Sequence, residues 1–371
     1  MKTRGAVVRE YGRGYEILEL DLEAPRTGEI TVKMAASGLC LSDEHVTSGT
    51  WPVRLPMCGG HEGAGVVIAV GPNTPGWEVG DHAILSCLAG CGRCRYCATG
   101  HQNLCDLTNT IMVGCRPEDT ESFRLSYKGE KVGQFCSIGT FCEHSTVSVL
   151  SAVKIPKEMP LDRACLIGCG VSTGWGATAR SGEVRPGQTV IVMGCGGVGN
   201  FSVQGAVHAG ALNVIAVDPV QSKRDAAMRV GATHGCASIE EATQLAKDLT
   251  QGHGADATAI TLGTLRPEHL MQALESVGKT GTVVVTALGD SKQVDFKLSV
   301  FDLTIKQKRI QGSMYGALVP SWDMLMLVQM YTGGRLKLDD IITTTYSLDQ
   351  VNKGYDDLKA GKNLRGAILY S

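Results

Sequence analysis

The chain has 371 residues, a formal net charge of -2 and 43% hydrophobic residues. Its length exceeds what one hydrophobic core organises, so two domains are expected. The near-neutral charge offers no electrostatic footprint for nucleic acid or an anionic membrane surface, and neither is expected as a partner. Fourteen cysteines do not imply a secreted disulfide scaffold. Such scaffolds are small, and close Cys-x2-Cys spacing favours metal. The opening MKTRGAVVREYG lacks the apolar stretch of a signal peptide, and no apolar run is long enough for a membrane helix, so the expected location is the cytoplasm.

From Gly28 to about Leu150 the chain reads as short strands broken by Gly and Pro. GEITVKMAASGLC alternates apolar and polar residues, GAGVVIAVG is a strand closed by glycines, and GDHAILSC follows a Gly-Asp turn. Cys40 ends the first of these strands, and His61-Glu62 precede the second. Within this half, Cys91-x2-Cys94-x2-Cys97-x7-Cys105 has the tight spacing that folds a loop around one zinc with no position left open. His101 lies inside that loop and is expected to face solvent. Cys40, His61 and the distant Cys169 could hold a second zinc with a fourth position free. No short spacing ties these three together. The other eight cysteines (Cys58, Cys87, Cys115, Cys136, Cys142, Cys165, Cys195 and Cys236) read as reduced, buried small hydrophobes.

The texture changes near Ala164. ACLIGCGVSTGWGATAR is expected to be a helix-rich crossing segment. Then TVIVMG, NVIAVD, ADATAITLG and GTVVVTALG alternate with helical stretches such as GGVGNFSVQGAVHAGA and SKRDAAMRVGA. That alternation predicts an α/β architecture, a doubly wound parallel sheet with helices on both faces. Gly194-Cys195-Gly196-Gly197-Val198-Gly199 follows a strand and opens a helix, the setting in which G-x-G-x-x-G receives a dinucleotide pyrophosphate. Asp218, at the end of NVIAVD, can accept hydrogen bonds from the ribose hydroxyls and would repel a 2′-phosphate, favouring NAD over NADP. Lys223 and Arg224 soften that repulsion. The tail GKNLRGAILYS reads as a strand that returns to the first domain.

Together these segments resemble the zinc-dependent medium-chain alcohol dehydrogenases. GHEGAGVVIAVG is similar to that family's GHE-x2-G-x5-G signature, and the four-cysteine lobe, GCGVSTG and the glycine fingerprint occur in the family's order. MKTRGA, ACLIGCGVSTGWG, DPVQSKRDAAM and GKNLRGAILY most resemble the actinobacterial nicotinoprotein, or nitrosodimethylaniline (NDMA)-dependent, branch. The resemblance implies a GroES-like, mostly-β catalytic domain over 1–170 and 314–371 with a structural-zinc lobe at 87–106. It also implies a Rossmann NAD-binding domain over 171–313. It further implies two zinc ions per chain, a small alcohol or aldehyde substrate, and a homodimer or higher homo-oligomer built through a strand such as IQGSMYG. Members of the branch hold NAD(H) without release, and an external acceptor, thought to be mycofactocin-linked, re-oxidises it in place.

Residue by residue, the resemblance makes Cys40, His61 and Cys169 ligands of the catalytic zinc, and Glu62 a carboxylate that can approach that metal. Cys91, Cys94, Cys97 and Cys105 match the structural-zinc ligands. Asp43 matches the carboxylate that orients the ligating histidine. Ser42 matches the hydroxyl that takes the alcohol's proton, and His45 the base that passes it to solvent. Thr173 and Val198 match nicotinamide contacts, Asp218 and Lys223 adenosine-ribose contacts, and Arg365 a pyrophosphate contact. Gly194, Gly196, Gly197, Gly199, Thr286, Ala287 and Leu288 complete the implied cofactor site. Ser42, Trp51, Cys87, Ser137, Ile138, Leu288 and Met314 are the implied substrate lining. Cys87 stands where a phenylalanine often narrows the channel, and Leu41 where an arginine often meets the pyrophosphate. The segment from Asp106 to Phe135 resembles the loop insertion of dimeric members.

Overall fold

The computed structural model describes residues 1–289 and 292–371. In chain order the first part comprises β1 (Lys2–Val8), β2 (Glu16–Leu22), β3 (Glu29–Gly38), α1 (Leu41–Ser48), β4 (Met57–Cys58), β5 (Gly63–Val70) and β6 (His82–Leu85). It continues with α2 (Arg95–Ala98), β7 (Leu125–Tyr127), β8 (Glu130–Gln134), β9 (His144–Ser148), β10 (Ala152–Ile155) and α3 (Leu161–Ala164). The middle part holds α4 (Gly170–Gly176), β11 (Thr189–Met193), α5 (Gly197–His208), β12 (Asn213–Val217), α6 (Gln221–Arg229), β13 (His234–Cys236) and α7 (Ile239–Leu249). After these come β14 (Ala255–Ile260), α8 (Pro267–Ser276), β15 (Val277–Val285), α9 (Val300–Ile305) and β16 (Arg309–Gly312). The chain ends with α10 (Pro320–Thr332), β17 (Ile342–Tyr346), α11 (Val351–Lys359) and β18 (Arg365–Leu369).

Two units emerge, Met1–Cys169 with Val319–Ser371, and Gly170–Leu318. The first carries a closed barrel, β1-β2-β7-β8-β4, and a sheet ordered β10-β6-β5-β3-β18-β17, with β9 also paired to β3. Strand pairing begins before Gly28, where the sequence pattern places no element: Val7 of β1 faces Glu16 of β2 across an antiparallel ladder. The tail forms β18, which pairs antiparallel with β3 through Ala367 and Gly38. Val7, Leu20, Leu22, Leu125 and Val132 form one core of this unit. Tyr15, Leu39, Phe141, Tyr346, Tyr355 and Ile368 form another.

The second unit is the doubly wound sheet, ordered β13-β12-β11-β14-β15-β16. All five pairings are parallel, as strand–helix alternation requires. Ile191, Ile215, Ile260, Val283 and Leu274 are among its buried core residues. The crossing segment is helical but irregular. A 3-10 turn over Cys165–Gly168, α4 and a π-helical turn over Ala177–Ser181 follow one another. The division after this sheet falls at Leu318, not at 313 as the sequence pattern suggests. Packing explains the difference. A Cβ on Gly176 would lie 2.2 Å from the Gly316 carbonyl oxygen, and one on Gly316 would lie 2.5 Å from the Ser172 carbonyl oxygen. The turn Tyr315–Ala317 is therefore held backbone-to-backbone against α4.

Candidate metal centres and dinucleotide loop

In the four-cysteine lobe, Cys94 caps α2, and its sulfur accepts the Cys97 amide. Cys91 Sγ accepts the Cys94 amide at 3.2 Å, and Cys105 Sγ accepts the Cys91 amide at 3.3 Å. Amide donors aimed at sulfur favour thiolates. The Cys97 amide, followed by hydrogen bonding from Asp106, brings the Cys94 thiol down to about 6. Burial and then the bond to Cys94 push Cys97 up to about 12. Cys91 and Cys97 sulfurs are 3.9 Å apart, as are those of Cys94 and Cys105. A tetrahedron of sulfurs at the usual zinc–sulfur length has edges of about 3.8 Å, so the lobe fits one zinc. His101 is exposed and lies outside this group.

The second cluster is assembled from three places in the chain. Cys40 lies two residues beyond β3 as the cap of α1, His61 precedes β5, and Cys169 ends the turn after α3. One ligand atom from each of Cys40, His61, Glu62 and Cys169 lies within 4.8 Å of the others. Glycines make this possible. Gly60 has φ +85, and a Cβ there would meet the Phe141 amide nitrogen at 2.5 Å. A Cβ on Gly38 would collide with the Glu62 carboxylate. Asp43 is wholly buried. Its Oδ2 lies 3.0 Å from His61 Nδ1, and its Oδ1 accepts the Gly60 amide at 2.9 Å. That contact turns Nε2 toward the cysteines, and among the described residues the buried Nε2 has no hydrogen-bond partner. Phe135 packs edge-on against the ring at 5.4 Å.

Hydrogen bonding with Cys169 holds the Cys40 thiol well below its ordinary value, against burial and aided by Arg365 and His61. The same bond pushes Cys169 well up. Burial lowers the His61 pKa, but the Asp43 and Cys40 charges outweigh it and leave it raised. Two sulfurs and one imidazole in an electron-rich pocket fit a catalytic zinc with a fourth position open, and the cation would displace the proton held there. Burial brings Glu62 up to about 7, opposed by the nearby Arg365.

Arg365 is buried and ion-paired with Glu62, 303 residues away in sequence, so in this structure it neutralises that carboxylate. Ser42 Oγ lies 3.7 Å from Cys40 Sγ. His45 is one turn along α1, its ring 4.9 Å from that of Trp51. Cys87 is 6% exposed, and hydrogen bonding ties its thiol to Cys169. Ser137 Oγ pairs with Thr110 Oγ1 at 3.1 Å, and Ile138 is fully buried. Cys136, expected from the sequence to be a buried small hydrophobe, is buried, and burial pushes its thiol well up, opposed by the nearby His61 charge.

In the second unit, Gly194 has φ +99, and a Cβ on Gly199 would strike the Gly194 carbonyl oxygen at 1.8 Å. A Cβ on Gly196 would meet nothing within 4 Å. No side chain caps α5, which begins at Gly197 and continues through Val198. A tight turn, open space and an uncapped helix start fit a dinucleotide pyrophosphate. Asp218 Oδ2 accepts the Cys195 amide at 3.0 Å, and Oδ1 accepts the Val220 amide at 2.9 Å. Thr286 Oγ1 is buried and has no hydrogen-bond partner among the described residues. The Thr286 and Ala287 amides bond to the Ile260 carbonyl at 3.2 and 3.1 Å. Thr173 lies in α4 and Lys223 in α6, while Leu288 and Met314 are exposed on this unit.

Residues 26–157 match the family model of the alcohol dehydrogenase GroES-like domain, and residues 197–329 that of zinc-binding dehydrogenase. The chain is 46% identical over 371 residues to the NDMA-dependent alcohol dehydrogenase of Amycolatopsis methanolica, covering 100% of both chains. It is 41% identical over 372 residues to alcohol dehydrogenase B of Mycobacterium tuberculosis, covering 100% of this chain and 99% of the other. The crystal structure of benzyl alcohol dehydrogenase from Acinetobacter calcoaceticus matches with a TM-score of 0.92 at 29% identity, covering 100% of both chains. With matches that span both units and ligand clusters that fit zinc, the chain belongs to the zinc-dependent medium-chain alcohol dehydrogenase family.

Proposed function

We propose that the protein oxidises primary alcohols to aldehydes by hydride transfer to NAD, retains NAD(H) through turnover, and passes the electrons to an external acceptor. The observation that carries the chemistry is the gathering of Cys40, His61 and Cys169 around one point with Glu62 neutralised by Arg365. When bound, zinc makes an alcohol more acidic and NAD accepts its hydride. The chain's own residues hold and move the proton. Asp43, fixed by the Gly60 amide, keeps the His61 ring in one orientation. Ser42 beside Cys40 takes the alcohol's proton, and His45, three residues on along α1, delivers it to solvent. The small Cys87 side chain leaves room for an aromatic or medium-chain alcohol, a reading favoured by the likeness to benzyl alcohol dehydrogenase. Zinc is held at two sites per chain, and Asp218 selects NAD over NADP. The location is cytoplasmic; no described helix is long and apolar enough to cross a membrane.

Cofactor retention rests on the similarity to the NDMA-dependent enzyme. The second reading, an alcohol or formaldehyde dehydrogenase with freely exchanging NAD, is favoured by Leu41, which supplies no cation to a pyrophosphate. Extensively dialysed protein distinguishes the two. We expect near-ultraviolet absorbance from bound NADH after alcohol is added. We also expect brisk alcohol oxidation with a nitrosoaniline acceptor and little reduction of added NAD. Rapid reduction of added NAD, with no nucleotide released on denaturation, would establish the exchanging enzyme instead.

A further inference from the structure

Asp43 is 0% exposed, its Oδ2 lies 3.0 Å from His61 Nδ1, and among the described residues that oxygen has no hydrogen-bond donor of good geometry. A buried carboxylate oxygen can accept two donors, and leaving it short costs free energy. Nearby are two further buried groups in the same condition. Among the described residues the hydroxyls of Tyr15 and Tyr355 have no hydrogen-bond partner, and these residues are 5% and 3% exposed.

Their rings are fixed. Tyr15 stacks on Tyr355 at 5.9 Å and 30°, and both pack edgewise on Phe141. Tyr15 Oη lies 2.7 Å from where a Gly59 Cβ would stand, next to the Gly60 amide that binds Asp43. With Glu44 and Thr47 of α1, the two tyrosines line a cavity of about 450 Å³. Burial, and next the Asp43 charge, push both phenols well above their ordinary value. Both therefore keep a proton to donate. The Tyr355 phenol is raised further by the approach of Asp43 as an acceptor, short of a well-formed hydrogen bond. Phenylalanine would satisfy the ring packing equally well, so packing does not account for the hydroxyl.

We propose that Tyr355 is a positioning residue for the metal centre: its hydroxyl, steered by the stacked Tyr15 ring, is donated to Asp43 and limits how strongly Asp43 draws on His61. The proposal rests on the reading that Cys40, His61 and Cys169 hold a metal. Removing the hydroxyl leaves Asp43 a stronger and less directed acceptor for His61. The ligating nitrogen then becomes more electron-rich and its ring less firmly held.

The test uses the full chain with cobalt exchanged for zinc at the Cys40–His61–Cys169 site. Visible absorption and the rate of metal loss to a chelator are both read. Tyr355→Phe should shift the cobalt bands and speed metal loss several-fold, below the roughly 10–100-fold effect of losing a direct partner of a ligand. In an Asp43→Asn background the same substitution should add nothing. Difluorotyrosine at position 355 keeps the shape, strengthens the donor and should shift the bands the other way. Unchanged bands and release in Tyr355→Phe, or full additivity with Asp43→Asn, would overturn the proposal while leaving the metal reading intact. Should Tyr355→Phe fail to fold, unchanged bands with difluorotyrosine would overturn it equally. If wild-type protein takes up cobalt only at the four-cysteine lobe, the metal reading itself fails, and the proposal with it.

Discussion

Asp218 organises the glycine loop as well as facing a ligand site, since its two oxygens hold the Cys195 and Val220 amides. Asp218→Ala should therefore act twice. Losing the acceptor for the buried Cys195 amide should cost about 1–3 kcal/mol of stability, read as a lower melting temperature. Losing the carboxylate should let cofactor-stripped protein bind NADPH more tightly, read by fluorescence titration. Wild-type protein that already binds NADPH as well as NADH would show that Asp218 does not discriminate. At Cys87 the question is size. The side chain is buried against Cys169, so Cys87→Phe should lower kcat/KM for benzyl-type alcohols more than for ethanol. Equal losses for both alcohols would remove Cys87 from the channel.

Among the elements, the four-cysteine lobe depends least on a core. Its helix α2 buries no residue, and four-residue helices are not stable alone. Metal ligation must supply what burial does not. Cys94→Ser should then release zinc from the lobe and abolish hydrogen-exchange protection across Cys91–Cys105. Protection of β11 and β12, whose residues Val190, Ile191, Val214 and Ile215 are fully buried, should persist. Retained protection in a zinc-free lobe would show that side-chain packing suffices. This element was legible in the sequence because all four ligands lie within one short loop. The N-terminal β1–β2 hairpin, α7 and α8 lay outside the sequence expectations. For β1–β2 the alternation is blurred because β1 buries four consecutive residues, Gly5–Val8.

For the molecule as a whole, assembly is the question raised by the edge of the second unit's sheet, which among the described residues is left unpaired. β16 ends the sheet order, paired on one side to β15. α9 nearby in sequence buries none of its residues and leaves Val300, Phe301 and Ile305 exposed at 67%, 77% and 66%. An unpaired edge flanked by exposed apolar side chains invites pairing with a second copy. Light scattering should give at least a dimer for the wild type, and Phe301→Glu with Ile305→Glu should shift it toward monomer. A monomeric wild type would rule that edge out as an assembly surface.

Short-range patterns were legible in the sequence. The lobe's cysteines, the glycine fingerprint followed by Asp218, and the strand–helix alternation are all written within a few tens of residues, where spacing and periodicity fix geometry. Contacts made over long separations were decided only by folding. Cys40, His61 and Cys169 converge because the end of β3, the start of β5 and the turn after α3 meet. Arg365 reaches Glu62 because β18 lies beside β3, which gives the buried carboxylate its counter-charge. Tyr15 and Tyr355 gather near Asp43 from opposite ends of the chain. No local pattern encodes such meetings. They follow from the strand order of the sheets and from glycines that let the backbones close.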